Sequence, residues 1–346
     1  VEALKLKSVG KNVYMLLGLA ISIICIFFVF RGIQWTQVGS TLSKANYWGL
    51  ITSVFFQLLS LGIAGFRWKT VISLPEVSWA SASASMMVGL MVNNILPGRM
   101  GEFVRPVLLG QEIKKSRSFL FATVMVDRLS DLIVLVILGL LSFSLFPPIP
   151  WARQMSVIGG AIFVLAFIII GAFGYSKIGS KLEDIVSQFD PTPLLEKVVH
   201  ILQKFRLGFR SIGSFGRGTV VFGLSWLVWT AWFLSLYCAL KAFGLNLPFG
   251  GIVLLLAVLN LGGLVPSSPG YAGTYHLLAI LLLSNFAIKK EEALSFILVF
   301  HALWYVPQTL LGLIVMIRKN LRLGELSLAG ETAGGQVSTL DTNGII

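Results

Sequence analysis

The sequence predicts an all-α, polytopic membrane protein made of two inverted repeats, each carrying a broken, re-entrant helical pair. Three observations predict it. Of the 346 residues 56% are hydrophobic and 12% charged, with a mean hydropathy of +0.86, which leaves too little polar surface to clothe a soluble globule. The apolar runs are continuous, rich in Leu, Ile, Val, Phe and Trp, and long enough to cross a hydrocarbon core; a β-barrel would show short alternating segments instead. An element Pro-Gly-x-x-Gly, finally, occurs twice inside oily stretches, at Pro97, Gly98 and Gly101 and again at Pro269, Gly270 and Gly273, 172 residues on.

The spans follow in order. A basic segment "KLKSVGK" precedes an apolar run over 13–30 that lacks a small-residue cleavage pattern and reads as an uncleaved first helix. Further spans are expected over 47–66, 118–146, 154–175, 219–243 and 291–317. Residues 80–110 and 250–284 are each interrupted by the Pro-Gly element, so that both arms are short for a span. Each is either a hairpin that enters the membrane and turns back, or two ordinary spans with a tight loop. Residues 176–218 form the one sizeable polar connection, and 324–346 a small, polar, nonperiodic tail expected to be disordered. Residues 1–323 thus read as one integral membrane domain.

The same offset of 172 that relates the two Pro-Gly elements carries the span at 47 onto that at 219 and the span at 118 onto 290. This marks repeats over about 47–146 and 219–317, each a helix, a broken pair and a helix. Lys5, Lys7 and Lys11, the stretch "FRWK", the trio Lys114, Lys115 and Arg117, and "IRKNLR" all fall on one side, the cytoplasmic one by the positive-inside rule, together with both termini. Two spans separate the repeats, so the second starts on the opposite side from the first. Lys241, Lys289 and Lys290 run against this count, partly offset by Glu291 and Glu292.

Irregular backbone at membrane depth must be buried in protein or line a cavity. A helix restarting after Pro97 and Gly98 is expected to point free N–H groups and its positive dipole end there, and Arg99 and Arg105 add full charge, a setting for an anion such as a phosphate. Glu102 lies three residues before Arg105, so the two alternatively just neutralise each other. In "VMVDRLSD", Asp127 and Asp131 share a helix face and Arg128 points to a neighbouring helix. Charges at this depth mark either an aqueous pathway or an interhelical ion pair. Arg67 reads as a topology anchor. Asn93, Asn94 and Asn260 are suited to capping broken helices. His276 and His301 fall in apolar stretches and read as core histidines or, if solvated, as groups that titrate and make transport vary between about pH 5 and 8.

Some classes are excluded. The net charge of +12 is scattered at span ends, as topology signals are, so no nucleic acid is expected. Cys25 and Cys238 lie inside spans, with no ligand cluster around them, so neither metal nor cofactor is expected. Motifs for nucleotide binding or hydrolysis are missing.

Taken together, "NNILPGRMGEFVRP", "DRLSD" and "PGYAGTYH" resemble the lysylphosphatidylglycerol synthase transmembrane, or flippase-like, domain family over nearly the whole chain to about residue 320. The first motif matches at Asn94, Pro97, Gly98, Arg99, Gly101, Glu102 and Arg105, the acidic element at Asp127, Arg128 and Asp131. In the second motif, Pro-Gly-Gly-x-Gly-x-x-Glu, this chain has Tyr271 for the middle Gly and His276 for the Glu. The resemblance implies movement of an anionic, aminoacylated or polyprenyl- or glycolipid-linked lipid between leaflets of a prokaryotic cytoplasmic membrane; the soluble catalytic domain of the family's aminoacyl-transferring enzymes finds no room in the 176–218 connection or the tail, so no enzymatic activity is expected. Its alternative is a non-catalytic subunit that scaffolds an envelope-lipid synthase or glycosyltransferase through the 176–218 connection.

Overall fold

The computed structural model describes residues 20–96, 99–145, 215–262 and 268–322. The expectations for 154–175, most of 176–218, the tail, the basic N-terminus, Pro97 and Gly98 lie outside them. Among the described residues there is no strand. In chain order the helices are α1 (Ala20–Phe30), α2 (Trp35–Ser43), α3 (Tyr47–Ile72), α4 (Trp79–Ile95), α5 (Gly101–Ile113) and α6 (Arg117–Leu145). After the undescribed stretch come α7 (Phe215–Ala242), α8 (Phe249–Gly262), α9 (Thr274–Leu283) and α10 (Lys290–Arg318), with short 3₁₀ turns at Pro269–Tyr271 and Ser284–Phe286.

Among the described residues α3, α7 and α10 are long and apolar enough to cross a membrane, and α1 with α2, bent by 84°, makes a fourth candidate. Their ends are set locally. Asn46 caps α3 by accepting from the amides of Trp48 and Gly49, and Ser78 caps α4 by accepting from Ser81. Aromatic side chains stand exposed at the helix ends, Trp35, Tyr47 and Trp48 at one set and Trp79 at another, as at membrane interfaces. The sequence placed both ends of α6, α7 and α10 and the start of α3 closely, but α3 runs past the expected end at 66 to Ile72, so that Arg67 lies inside the helix. It did not anticipate α2 or the sharp bend before it, where Gly32 takes a φ of 73°.

Both interrupted stretches are antiparallel hairpins. In the first, α5 lies on α4 so closely that a Cβ at Gly101 would fall 1.8 Å from the Gly89 carbonyl oxygen, while at the other end Ser81 donates to Glu112 at 2.6 Å. In the second, Gly262 of α8 meets Leu278 of α9, and Gly251 meets Phe286. At 1.5 Å per residue the arms run from about 15 to about 25 Å, short of a core of about 30 Å.

The long helix α10 serves as a ruler for depth. Lys319, just past its C-terminal end, pairs with Glu112 at the base of the first hairpin at 2.6 Å. Asn94, at the tip of that hairpin, donates to Thr309 at 2.9 Å and accepts at its backbone oxygen from Tyr305 at 3.3 Å. The second hairpin has its base at the N-terminal end of α10, and its tip reaches His301 and Tyr305. The two hairpins therefore enter from opposite ends of α10 and their tips meet near its middle, where Pro307 interrupts the helix ladder.

Candidate functional site

At the meeting point the two breaks touch. Arg99 and Tyr271, again 172 residues apart, both adopt left-handed backbone, φ 53° and 60°, a conformation that side chains other than Gly seldom take. The Arg99 guanidinium lies 5.8 Å from the centre of the Tyr271 ring. Gly270 has a φ of 68°, and a Cβ there would lie 2.6 Å from the Tyr305 ring and 3.5 Å from the Asn94 carbonyl oxygen. This crowding accounts for the second glycine motif without reference to a ligand.

Beside the tips, α3, α5 and α6 bring six charges into one cluster. Arg67 is fully buried; its Nε donates to Asp127 Oδ1 at 2.9 Å, and its Nη1 to Asp131 Oδ1 at 2.6 Å and to Ser225 Oγ on α7 at 2.9 Å. Arg105 Nη2 donates to Asp127 Oδ2 at 3.1 Å and lies 3.4 Å from Glu102 Oε2, with its guanidinium 4.9 Å above the Trp68 ring. Arg128 Nη2 donates to Asp127 at 3.0 Å and faces Asp131 at 3.4 Å, and its Nε stands 3.8 Å from Glu102. Trp229 Nε1 donates to the same Asp131 oxygen that Arg67 reaches, at 3.2 Å. Three guanidiniums thus meet three carboxylates. In a low dielectric such a balanced set holds together, whereas any one member left alone would be costly.

A cavity of about 530 Å³ opens above this cluster. Arg67, Arg99, Glu102, Arg128 and Asp131 contribute its charged wall, and Trp229, Trp232, Tyr271, Tyr275 and Trp304 its aromatic one. Among the described residues the charged wall comes from the first half of the chain and, Tyr271 aside, the aromatic wall from helices of the second half. At the positions 172 residues beyond Arg67, Arg105, Asp127 and Asp131 stand Ala239, Leu277, Val299 and Leu303.

Several sequence expectations change here. Arg67 is not a topology anchor: it is at 0% exposure, the hub of the cluster. Of the free amides expected at the start of α5, those of Gly101 to Val104 are occupied. Gly101 donates to Asn93 Oδ1 at 2.8 Å, Glu102 to the Arg99 carbonyl, and Phe103 and Val104 to that of Met100. Asn93 is therefore the cap the broken helix needed, and its own amide reaches Glu102 Oε1 at 3.4 Å. Arg105, 3% exposed, lies behind the cavity wall and not on it. Glu102 and Arg105 do approach each other, as part of the larger network. Lys290, which ran against the charge count, is spent on the carbonyls of Phe28 and Arg31, where it closes the end of α1.

The two histidines, 25 residues apart in sequence, are neighbours: His301 Nδ1 lies 3.3 Å from His276 Nε2. The latter's Nδ1 accepts from the Gly273 amide at 3.3 Å. His276 stands three residues beyond that N-cap, where a Glu or Gln side chain reaches back to the capping residue's N–H in a capping box. The exchange of Glu for His relative to the family motif thus keeps an acceptor for this amide. Trp304 stacks on His301 at 4.8 Å between ring centres. Among the described residues no three His, Cys, Asp or Glu side chains are grouped to hold a metal ion.

Residues 15–312 match the family described as the lysylphosphatidylglycerol synthase TM region. A UPF0104 membrane protein of Pyrococcus horikoshii is 21% identical over 90% of this chain and 98% of its own length. Another from Methanothermobacter thermautotrophicus is 25% identical over 85% of this chain and 90% of its own. A third, from Methanocaldococcus jannaschii, is 25% identical over 67% of this chain and 96% of its own.

Proposed function

The chain belongs to the lysylphosphatidylglycerol synthase transmembrane-region family, and from that premise we propose that it is a lipid translocase, carrying an anionic lipid between leaflets with the headgroup lodged in the cavity between the two breaks. One observation carries the reading: two half-length hairpins enter from opposite ends of α10 and meet at a charged cavity at mid-height. A polar headgroup crossing a hydrocarbon core of about 30 Å needs a polar station within it. The cavity is one that either face can reach if the hairpins part alternately.

An inverted duplication is part of the proposal. Exchanging α3 with α7, α4 with α8, α5 with α9 and α6 with α10 turns the set of helix pairings into itself: α4 packs on α10 as α8 packs on α6. The two partners α3 and α7 run antiparallel. Asn46, before α3, donates to Ala242 at the end of α7, Ser53 pairs with Ser235, and Arg67 near the end of α3 reaches Ser225 near the start of α7. Two equivalent helices that cross antiparallel are related by an axis perpendicular to both, which supports a two-fold in the membrane plane. On this reading the first hairpin opens to the cytoplasm, as do both termini, and no bond is made or broken during the cycle.

The test is transbilayer movement. The full chain, reconstituted in vesicles containing a trace of headgroup-labelled phosphatidylglycerol, should bring inner-leaflet label within reach of a membrane-impermeant quencher. A rate equal to that of protein-free vesicles, for anionic and zwitterionic lipids alike, would reject the translocase.

A further inference from the structure

We infer that His276 and His301 form a proton-operated clasp, which holds the tip of the second hairpin to α10 while both rings are neutral and releases it when the pair takes up one proton. The inference deepens the translocase reading and rests on it for the consequence, that acid opens the cavity on the side from which the second hairpin enters. The contact itself is a matter of geometry. His276 stands in the first turn of α9 and His301 on α10; each is 9% exposed, and His301 Nδ1 lies 3.3 Å from His276 Nε2. A backbone amide fixes which ring nitrogens carry hydrogen. The Gly273 N–H can only donate, so His276 Nδ1, which it reaches at 3.3 Å, is bare. The hydrogen of neutral His276 is then on Nε2 and is donated to His301 Nδ1, which leaves the hydrogen of neutral His301 on Nε2. Both bare nitrogens of the pair are thus in use as acceptors. An added proton must go to one of them, where it meets the Gly273 N–H or the His276 Nε2–H, hydrogen against hydrogen. Passing a hydrogen between the rings only moves the conflict from one contact to the other, since the two contacts need two bare nitrogens and a singly protonated pair has one.

The surroundings of the two rings leave this conflict standing. Among the described residues the titratable groups that face them are Tyr275 on α9 and Tyr305 on α10, 5.1 and 5.6 Å from the His301 ring centre, Tyr271 of the 3₁₀ turn, and Cys25 of α1, which flanks Gly273. Arg99 lies against the Tyr271 ring. Helices α1, α2, α4, α8 and α9 carry no charged residue, and the acids of α10, Glu291 and Glu292, precede His301 by ten and nine residues, about 13–15 Å along the helix. The charged cluster of α3, α5 and α6 belongs to the other wall of the cavity. Water in the cavity is close at hand, because Tyr275 and Trp304, which both pack on the His301 ring, line it. Once the tip lets go, the rings meet that water, and a solvated histidine takes its proton near pH 6.5. Only the released tip holds the extra proton, so it gains on the clasped one by up to about tenfold for each pH unit below that value, and above it the clasp holds. The device is one-sided. Asn94, Thr309 and Tyr305 tie the first hairpin to α10 through amide, hydroxyl and carbonyl groups, which offer an added proton no comparable site.

Hydrogen exchange tests the clasp in the full chain, held in phosphatidylcholine nanodiscs and read by mass spectrometry between about pH 5 and 8, with each rate corrected for the intrinsic pH dependence of amide exchange. Protection of the first turn of α9 should fall by up to about tenfold per pH unit below about pH 6.5, while that of α5, its counterpart in the first hairpin, stays level. His276→Gln keeps an acceptor for Gly273 and does not titrate, so its α9 protection should be flat across the range. An equal fall in α5 and α9, or the same fall in His276→Gln, overturns the inference. A second measurement needs no change at the clasp. The chain has three histidines, and in a His200→Gln variant labelled with nitrogen-15 histidine only the pair remains visible. At pH 8 both rings should be neutral with the hydrogen on Nε2, and one proton should enter the pair together with the loss of α9 protection. A His276 ring that carries its hydrogen on Nδ1 at pH 8 refutes the clasp even if His276→Gln fails to fold. Proton-dependent release in a protein that moves no lipid would end the translocase reading and leave the clasp in place. Lipid movement with α9 protection unchanged from pH 8 to pH 5 would do the reverse.

Discussion

Replacing Arg67 by Met removes the hub of the charged cluster while keeping most of the side-chain volume. Three hydrogen bonds go with the guanidinium: to Asp127 at 2.9 Å, to Asp131 at 2.6 Å and to Ser225 at 2.9 Å. Removing one partner of a buried pair costs about 3–5 kcal/mol, because the other is left charged and uncompensated. Here neither acid is stranded. Asp127 keeps Arg105 at 3.1 Å and Arg128 at 3.0 Å, and Asp131 keeps Arg128 at 3.4 Å and Trp229 at 3.2 Å. The loss should therefore fall at the lower end, about 3 kcal/mol, and adding Asp127→Asn should recover part of it, with a coupling of about 1–3 kcal/mol in the double-mutant cycle. Equilibrium unfolding in mixed micelles, titrated with a denaturing detergent and followed by tryptophan fluorescence, supplies the numbers. Glu76→Gln is the control, since Glu76 and Lys115 form a half-exposed pair at 3.2 Å, which water and salt screen to little net stability. If Arg67→Met costs no more than that control, or the cycle shows no coupling, the cluster is not a desolvated network and the reasoning fails.

Other consequences are as direct. Gly101→Ala forces a Cβ against the Gly89 carbonyl at 1.8 Å, so the first hairpin should fail to close and folded, monodisperse protein should be lost on size exclusion; normal yield would mean the hairpin packs otherwise. In a variant lacking Cys25 and Cys238, single cysteines at the exposed positions Glu112 and Asn246 should label from opposite faces of intact vesicles, and labelling from one face would refute hairpins of opposite entry. His276→Leu should destabilise by about 1–3 kcal/mol through the stranded Gly273 amide, while His276→Gln, which can still reach back as an acceptor, should cost less than half as much in the same unfolding assay. Arg105→Lys, behind the wall, should lower stability, whereas Arg99→Lys should spare stability and weaken lipid binding; the reverse pattern in paired binding and unfolding measurements would exchange their roles.

How far the sequence revealed all this depended on the kind of signal each feature leaves. The breaks were legible because Pro and Gly disrupt a helix through backbone chemistry alone, and the two copies announced each other at a fixed offset. Asp127, Arg128 and Asp131 were legible because charge in an oily run is rare. Arg67 was not, since "FRWK" at the end of a span has the composition of a topology signal, and only the packing of α3 on α6 turns its side chain inward. The aromatic wall left no mark, because Trp229, Trp232 and Trp304 sit in segments where tryptophan is an ordinary apolar residue. Free amides at the restart of α5 were a fair expectation from helix geometry, overridden by the carbonyls of Arg99 and Met100 and, for Gly101, by Asn93, whose side chain is brought there only when the hairpin folds back. The meeting of His276 with His301 required knowing that the second tip reaches the middle of α10.

The paired cluster also bears on how the chain is made. Helix α6 carries Asp127, Arg128 and Asp131 within five residues, and each such charge costs about 2.5–3.5 kcal/mol to place mid-membrane on an isolated helix. Their opposite numbers Arg67 and Glu102 are synthesised earlier, on α3 and α5. A nascent α6 therefore follows its electrostatic partners in the chain, so that its charges have counter-charges to pair with on α3 and α5. Ser225 and Trp229, on α7, close the network last. Order of translation thus becomes order of neutralisation, and a truncated chain ending before α6 would hold Arg67 with no acid from α6 beside it.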